Sequence, residues 1–222
     1  MLFRSACGCS FSLLLAESGH VYSWGVPTHG RLGRDTSVAV PAHTPATIPG
    51  FSAMDISSGD GHCLAVSEEG VLFSWGAGFA GQLGLDKRGN MKQPTSVDVG
   101  EKVGQVSAGG SHSLCVGASG RVYSFGENED GCLGTYESSL LKPKAVTGLP
   151  FVNRVAAFDR RSVVITEDGG AILLGFPSHE TLSIDGVLAI AESCDEMCIL
   201  KKDRVEVLDA HHNPIGGASL LG

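Results

Sequence analysis

The sequence predicts an all-β chain, a β-propeller array that is incomplete, with about four blades followed by fragments. Three observations predict it. An aromatic-glycine pair recurs at Trp24-Gly25, Trp75-Gly76 and Phe125-Gly126, offset by 51 and then 50 residues. Four residues after each pair comes a Gly-x-Leu-Gly segment: Gly30, Leu32 and Gly33, then Gly81, Leu83 and Gly84, then Gly131, Leu133 and Gly134. Each unit of roughly 50 residues also holds four short strand-like runs and no helical period, which is the pattern of one sheet per repeat.

The elements follow in order. The first unit leaves Gly8, runs through the apolar Phe11 to Ala16, reverses at Gly19 and returns as Val21-Tyr22-Ser23-Trp24. Aromatic and β-branched residues favour strands, and glycine supplies the positive φ of a tight reversal. The second unit repeats this from Gly59 and His62 through Gly70 to Leu72–Trp75, and the third from Gly109 and His112 through Gly120 to Val122–Phe125. Runs such as 95–99 and 103–107 supply the remaining strands. A weaker fourth copy turns at Gly169 and keeps Gly175, but Arg161 stands where His112 stood and no Gly-x-Leu-Gly follows. A fifth is only a trace, from Ile190 to Val207. As a single domain over 1–222, the array divides into repeats of about 5–50, 51–102, 103–150 and 151–186, with 187–222 degenerate. The chain is expected to begin mid-blade, leaving the apolar pair 13–16 and 21–24 without outer partners.

These residues resemble the regulator of chromosome condensation repeat family: the aromatic-Gly pair, the Gly-x-Leu-Gly segment and the upstream Gly-x-x-His of His62 and His112. The resemblance covers residues 5 to 175 and implies blades of a seven-bladed propeller. It also implies that His62 and His112 are structural hydrogen-bonding residues. Two departures stand out. A full ring at this period needs roughly 350 residues, against 222 here. The family's Asn two residues after the aromatic-Gly pair is present as Asn128 but replaced by Pro27 and Gly78.

Composition narrows the function class. Asp and Glu total 24 against 16 Lys and Arg, a net charge of −8, which argues against a surface that neutralises phosphates, so nucleic acid is not the expected ligand. Charged residues are 18% and mean hydropathy is +0.13, so the composition is not that of a disordered chain. Glycine, at 31 residues, is about twice its usual share of roughly 7%, an excess that the repeat turns account for. No apolar run approaches the roughly 18 residues of a membrane helix. The short apolar stretch 11–16 is below a usual signal-peptide core and belongs to the repeat. The odd count of 7 cysteines does not form a disulfide framework, and an intracellular setting, cytoplasmic or nuclear, is expected.

No chemical constellation emerges. His62 and His112 sit one blade apart, so they do not make a paired metal site. Cys7/Cys9 and Cys194/Cys198 lack zinc-knuckle spacing, while Cys63 and Cys115 fall in apolar strands and read as buried small hydrophobes. Ser58, Asp60 and His62 lie in one turn and cannot converge as a triad. The glycine-rich 76–81 has no following helix to hold phosphate. The expectation is therefore no catalytic residue, no metal and no cofactor, and a non-enzymatic protein-protein interaction scaffold within a larger assembly. The alternative implied by the resemblance is guanine-nucleotide exchange on a small GTPase of the Ran type, disfavoured by the acidity, the short array and the lack of a basic N-terminal arm. The expected partner is a protein that completes the ring, or a second copy in a homodimer, with no membrane. Glu127, Glu129 and Asp130 make one loop acidic, whereas Arg160, Arg161, Lys201, Lys202 and Arg204 put basic residues at the degenerate end.

Overall fold

The computed structural model describes residues 4–37, 40–175, 180–182, 186–192, 196–209 and 214–219. Among these residues twenty strands form five antiparallel four-stranded meanders. The first holds β1 (Arg4–Cys7), β2 (Phe11–Leu15), β3 (His20–Gly25) and β4 (Ala46–Ser52), and the second β5 (Asp55–Ser58), β6 (His62–Val66), β7 (Leu72–Gly76) and β8 (Met91–Val97). The third holds β9 (Val103–Ala108), β10 (His112–Gly117), β11 (Val122–Glu127) and β12 (Ser139–Ala145). The fourth comprises β13 (Val152–Ala157), β14 (Ser162–Thr166), β15 (Ala171–Leu173) and β16 (Glu180–Leu182), and the fifth β17 (Val187–Glu192), β18 (Glu196–Lys201), β19 (Arg204–Asp209) and β20 (Pro214–Ser219).

Two expectations are corrected here. The region 187–222 is not fragments, since it carries a complete fourth strand pairing, with β20 laid along β19 from Arg204↔Ser219 to Leu208↔Pro214. Its Pro-Ile-Gly-Gly-Ala-Ser sequence has low strand propensity, so the pairing partner rather than the local sequence makes it a strand. Nor does the first blade begin midway: β1 pairs with β2 from Arg4↔Leu15 to Cys7↔Ser12, and β4 closes the other side. Arg-Ser-Ala-Cys carries no β-branched or aromatic residue, which hid it.

Apolar cores lie between successive sheets. Phe11, Leu13 and Ile48 meet Ile56, Cys63 and Trp75 between the first and second. Leu64, Val66 and Val97 meet Val106, Cys115 and Phe125 between the second and third. Leu114 and Val122 meet Val155 and Val164 next, and Val163 and Leu182 meet Ile199 and Leu208 last. This sandwiching explains the burial patterns. β6, β10 and β14 are buried at every position because both faces are covered. β2 alternates instead: Phe11, Leu13 and Leu15 are buried, while Ser12 and Leu14 are half-buried on a face that no described residue covers. At the far end Ile199 is buried, whereas Cys198 and Leu200 on the opposite face are exposed.

Candidate functional site

Loops that leave β3, β7 and β11 form one face of the array, and a repeated serine fixes each of them. Ser23, Ser74 and Ser124, all fully buried, donate from Oγ to the carbonyls of Leu32, Leu83 and Leu133 at 2.6, 2.7 and 2.8 Å. The leucine of each Gly-x-Leu-Gly segment is thereby pinned over its own sheet. Sequence reasoning missed these serines, although the signal was present: serine recurs at the same place in Val-Tyr-Ser-Trp, Leu-Phe-Ser-Trp and Val-Tyr-Ser-Phe. In the fourth sheet Leu173 occupies the slot and the Gly-x-Leu-Gly segment is gone, as the donor-acceptor pairing requires.

The aromatic anchors are positioned by the same loops. Trp75 is fully buried, donates from Nε1 to the Arg31 carbonyl at 3.1 Å and packs edge-on against Phe51 at 5.7 Å. A Cβ on Gly33 would lie 2.9 Å from Trp75 Nε1, and one on Gly84 2.9 Å from the Phe125 ring, so both positions demand glycine. Phe125 is also fully buried, but Trp24 is only half-buried, because it lies on the uncovered face of the first sheet. Gly25, Gly76 and Gly126 take φ of 117°, 96° and 108°, and a Cβ there would meet the carbonyls of Ser10, Gly61 and Ser111 at 2.5 Å. Gly175, in the equivalent place, directly precedes the undescribed 176–179. Gly19, Gly70, Gly120 and Gly169 turn the inner hairpins with φ of 75° to 85°, and Gly30, Gly81, Gly131 and Gly134 lie in the loops.

The histidines link neighbouring sheets. His62 Nε2 lies 2.8 Å from Ser113 Oγ, and His112 Nε2 lies 2.8 Å from Ser162 Oγ. Ser113 gives its own proton to the Gln82 carbonyl at 2.8 Å. His62 must therefore donate from Nε2, which fixes its tautomer. Burial holds both rings neutral, with the His62 pKa lowered to about 3 and that of His112 to about 4. In the first sheet Phe11 replaces the histidine, and its opposite number, Cys63, packs with it in the apolar core.

A second set of links joins the inner strands. Asp55 Oδ2 accepts from the Val106 amide at 3.1 Å, and Gln105 Oε1 accepts from the Val155 amide at 2.7 Å. Ser57 Oγ accepts from Ala108 and Ser107 Oγ from Ala157, at 3.0 and 2.8 Å. The residues of the Ser58-Asp60-His62 turn are not brought together as a reacting group, since His62 points to Ser113 instead. Cys63, Cys115 and Cys132 are buried, and burial pushes their thiols up, that of Cys132 to about 12. Cys7, Cys9 and Cys198 are exposed, and Cys194 lies outside the described residues. No three His, Cys, Asp or Glu converge among the described residues, and no helix among them is long and apolar enough to cross a membrane.

The loop face itself is uneven in chemistry. Phe79 and Tyr136 stand 64% and 82% exposed on neighbouring loops. Arg88 ties the first of these loops down, donating to the Phe79 carbonyl and to Ser139 Oγ, and Lys142 pairs with Asp86 at 2.9 Å. Beside them a cleft of about 390 Å³ is lined by Ser111, Glu127, Glu129, Asp159 and Arg160. Arg160 pairs there with Glu129 and Asp130.

Comparison with known proteins places this geometry. A model of the regulator of chromosome condensation (RCC1) repeat matches residues 18–66, 69–116 and 119–165, and a second model of that repeat matches 55–82 and 103–132. The matched unit begins at a hairpin such as Gly19 and runs into the next sheet, so the sequence repeat and the sheet are out of phase. Human E3 ubiquitin-protein ligase HERC2 is 36% identical over 97 residues, 42% of this chain and 2% of its own length. Ultraviolet-B receptor UVR8 of Arabidopsis thaliana is 36% identical over 99 residues, 44% of this chain and 22% of its own. The chain thus spans under a quarter of these relatives. Among solved structures, human WBSCR16 superposes with a TM-score of 0.83 at 21% identity, covering 95% of this chain and 62% of that one. Yeast RCC1 (Prp20), solved bound to Kap60, gives 0.80 at 21% identity, covering 99% and 63%.

Proposed function

The chain belongs to the regulator of chromosome condensation repeat family, and from that premise we propose that it is a non-enzymatic protein-interaction scaffold within a larger assembly. Repeat arrays of this kind present a rigid surface rather than a reacting centre. The hydrogen-bonding side chains that recur from sheet to sheet are directed inward, Ser74 to its loop and His62 to its neighbour. One observation carries the reading. Trp75 and Phe125 are fully buried by the preceding sheet, whereas Trp24, in the same register, is half-buried beside the half-buried Leu14 and Tyr22. A protein partner, or a second copy, that lays a sheet against this face completes the burial and extends the array.

The experiment is affinity capture with quantitative mass spectrometry of the wild-type chain and a Trp24→Ala variant. A stoichiometric partner lost in the variant supports the reading, and equal capture by both contradicts it. Exchange on a Ran-type GTPase is tested separately by release of a labelled nucleotide. The net charge of −8 supports no acceleration, and a clear rise would replace the scaffold reading. The cysteine pattern supports a cytoplasmic or nuclear location.

A further inference from the structure

The residue that pairs with each aromatic anchor reaches back to the sheet before it. Ser12 pairs with Trp24 across β2 and β3, as Cys63 pairs with Trp75 and Ser113 with Phe125. In the second sheet Cys63 Sγ and Trp75 Nε1 both donate to the Arg31 carbonyl, at 3.3 and 3.1 Å, and in the third Ser113 Oγ donates to the Gln82 carbonyl at 2.8 Å. Arg31 and Gln82 are the middle residues of the preceding Gly-x-Leu-Gly segments. Each of these interfaces therefore sets side-chain donors of one sheet against a loop carbonyl of the sheet before.

The identity of the pairing residue also follows the preceding sheet. Ser113 and Ser162 face His62 and His112, whose Nε2 atoms lie 2.8 Å from the serine hydroxyls. Cys63 meets Phe11 instead of a histidine and packs in the apolar core. A buried imidazole N–H must have an acceptor, which a serine hydroxyl supplies and a thiol supplies poorly. The first sheet carries the serine form. Ser12 is half-buried, and among the described residues its hydroxyl has the Cys7 thiol at 3.7 Å as its one side-chain contact. The Trp24 Nε1 donor has no acceptor among the described residues.

Resting on the scaffold reading, we propose that the occupant of the Trp24 face is a four-stranded sheet of the same repeat class, supplied by a partner polypeptide and carrying both Gly-x-x-His and Gly-x-Leu-Gly. Its histidine donates to Ser12 Oγ, and the middle carbonyl of its loop accepts from Trp24 Nε1 and from the Ser12 hydroxyl. Its loop glycine makes room for the Trp24 ring, as Gly33 does for Trp75. A second copy of this chain does not fit. In its fifth sheet Glu196 stands opposite Asp209 where His62 stands opposite Gly76, and residues 210–213 alone join β19 to β20, which leaves no such loop. Two Trp24 faces set against each other would bring indole donors together without a carbonyl to accept them.

The test is photo-cross-linking from this face. The full chain carrying Tyr22→benzoylphenylalanine, a position on the same side of β3 as Trp24, is expressed in its native cells and irradiated, and the cross-linked peptide is sequenced by mass spectrometry. A peptide of another protein that holds the Gly-x-Leu-Gly or Gly-x-x-His of such a repeat is expected. Its yield should fall about fivefold in Trp24→Phe, which keeps the ring and loses the N–H, and about fivefold in Ser12→Ala. Melting curves of both variants serve as the folding check. A cross-link to a second copy, a cross-link to a protein without these motifs, or undiminished yield in either folded variant would overturn the proposal and leave the scaffold reading standing. Absence of any cross-linked protein would overturn both.

Discussion

Replacing Trp75 by Ala separates a tryptophan enclosed between two sheets from one that merely lies on a sheet. Trp75 is fully buried in the core shared by Phe11, Leu13, Leu32 and Ile48, and no part of its ring reaches solvent. Large-to-small changes of a buried Trp cost about 3 to 5 kcal/mol. The lost Nε1 bond to the Arg31 carbonyl adds about 1 kcal/mol. The Trp75→Ala variant is therefore expected to lose about 4 to 6 kcal/mol, a large part of a typical domain's stability. Trp24→Ala removes a half-buried ring from an uncovered face and should cost about 1 to 2 kcal/mol. Urea unfolding followed by far-ultraviolet circular dichroism measures both. The reasoning fails if Trp75→Ala stays within about 1 kcal/mol of wild type, or if the two variants lose equally.

Three further outcomes follow from the same geometry. Ser124→Ala leaves the buried Leu133 carbonyl without its donor, costs about 1 to 2 kcal/mol, and should speed amide exchange in 131–135 while sparing 81–84. Gly76→Ala forces a side chain into φ of 96° and against the Gly61 carbonyl. It should cost more than about 2 kcal/mol, whereas Gly100→Ala, which meets nothing within 4 Å despite φ of 87°, should cost less. Acid should destabilise the chain through His62 and His112. Their folded pKa values lie below the usual 6.5, so their contribution is complete above pH 6.5 and lost progressively as pH falls toward about 4 for His112 and about 3 for His62. Each ring contributes about 1.4 kcal/mol per pH unit across that window, and unfolding midpoints measured from pH 7 to pH 5 should flatten in His112→Gln.

Legibility in the sequence tracked where the chemistry was local. Hairpin glycines such as Gly70 could be read because the positive φ they supply is a constraint local to one turn, whereas Gly84 was legible by its periodicity alone, the ring that excludes a side chain there being Phe125 of the next repeat. The seryl locks at Ser23, Ser74 and Ser124 were equally periodic, yet a hydroxyl inside an apolar run reads as a tolerated strand residue until its acceptor nine positions on is seen. β1 and β20 were hidden because their strand character comes from pairing with β2 and β19, not from their own residues. The difference between Trp24 and Trp75 was also invisible, since the motifs are the same and only the presence of a preceding sheet distinguishes them. The links from Asp55 to the Val106 amide and from Gln105 to the Val155 amide share no residue type, so only strand pairing reveals that they are equivalent.

Sedimentation velocity of the purified chain over a wide concentration range tests most directly whether the Trp24 face needs a protein covering. An uncovered apolar sheet face predicts either species heavier than the 23.0 kDa monomer, reduced by Trp24→Ala, or a partly unfolded chain with a broad melt. A single compact 23.0 kDa species at every concentration, with one cooperative melt, would contradict the account.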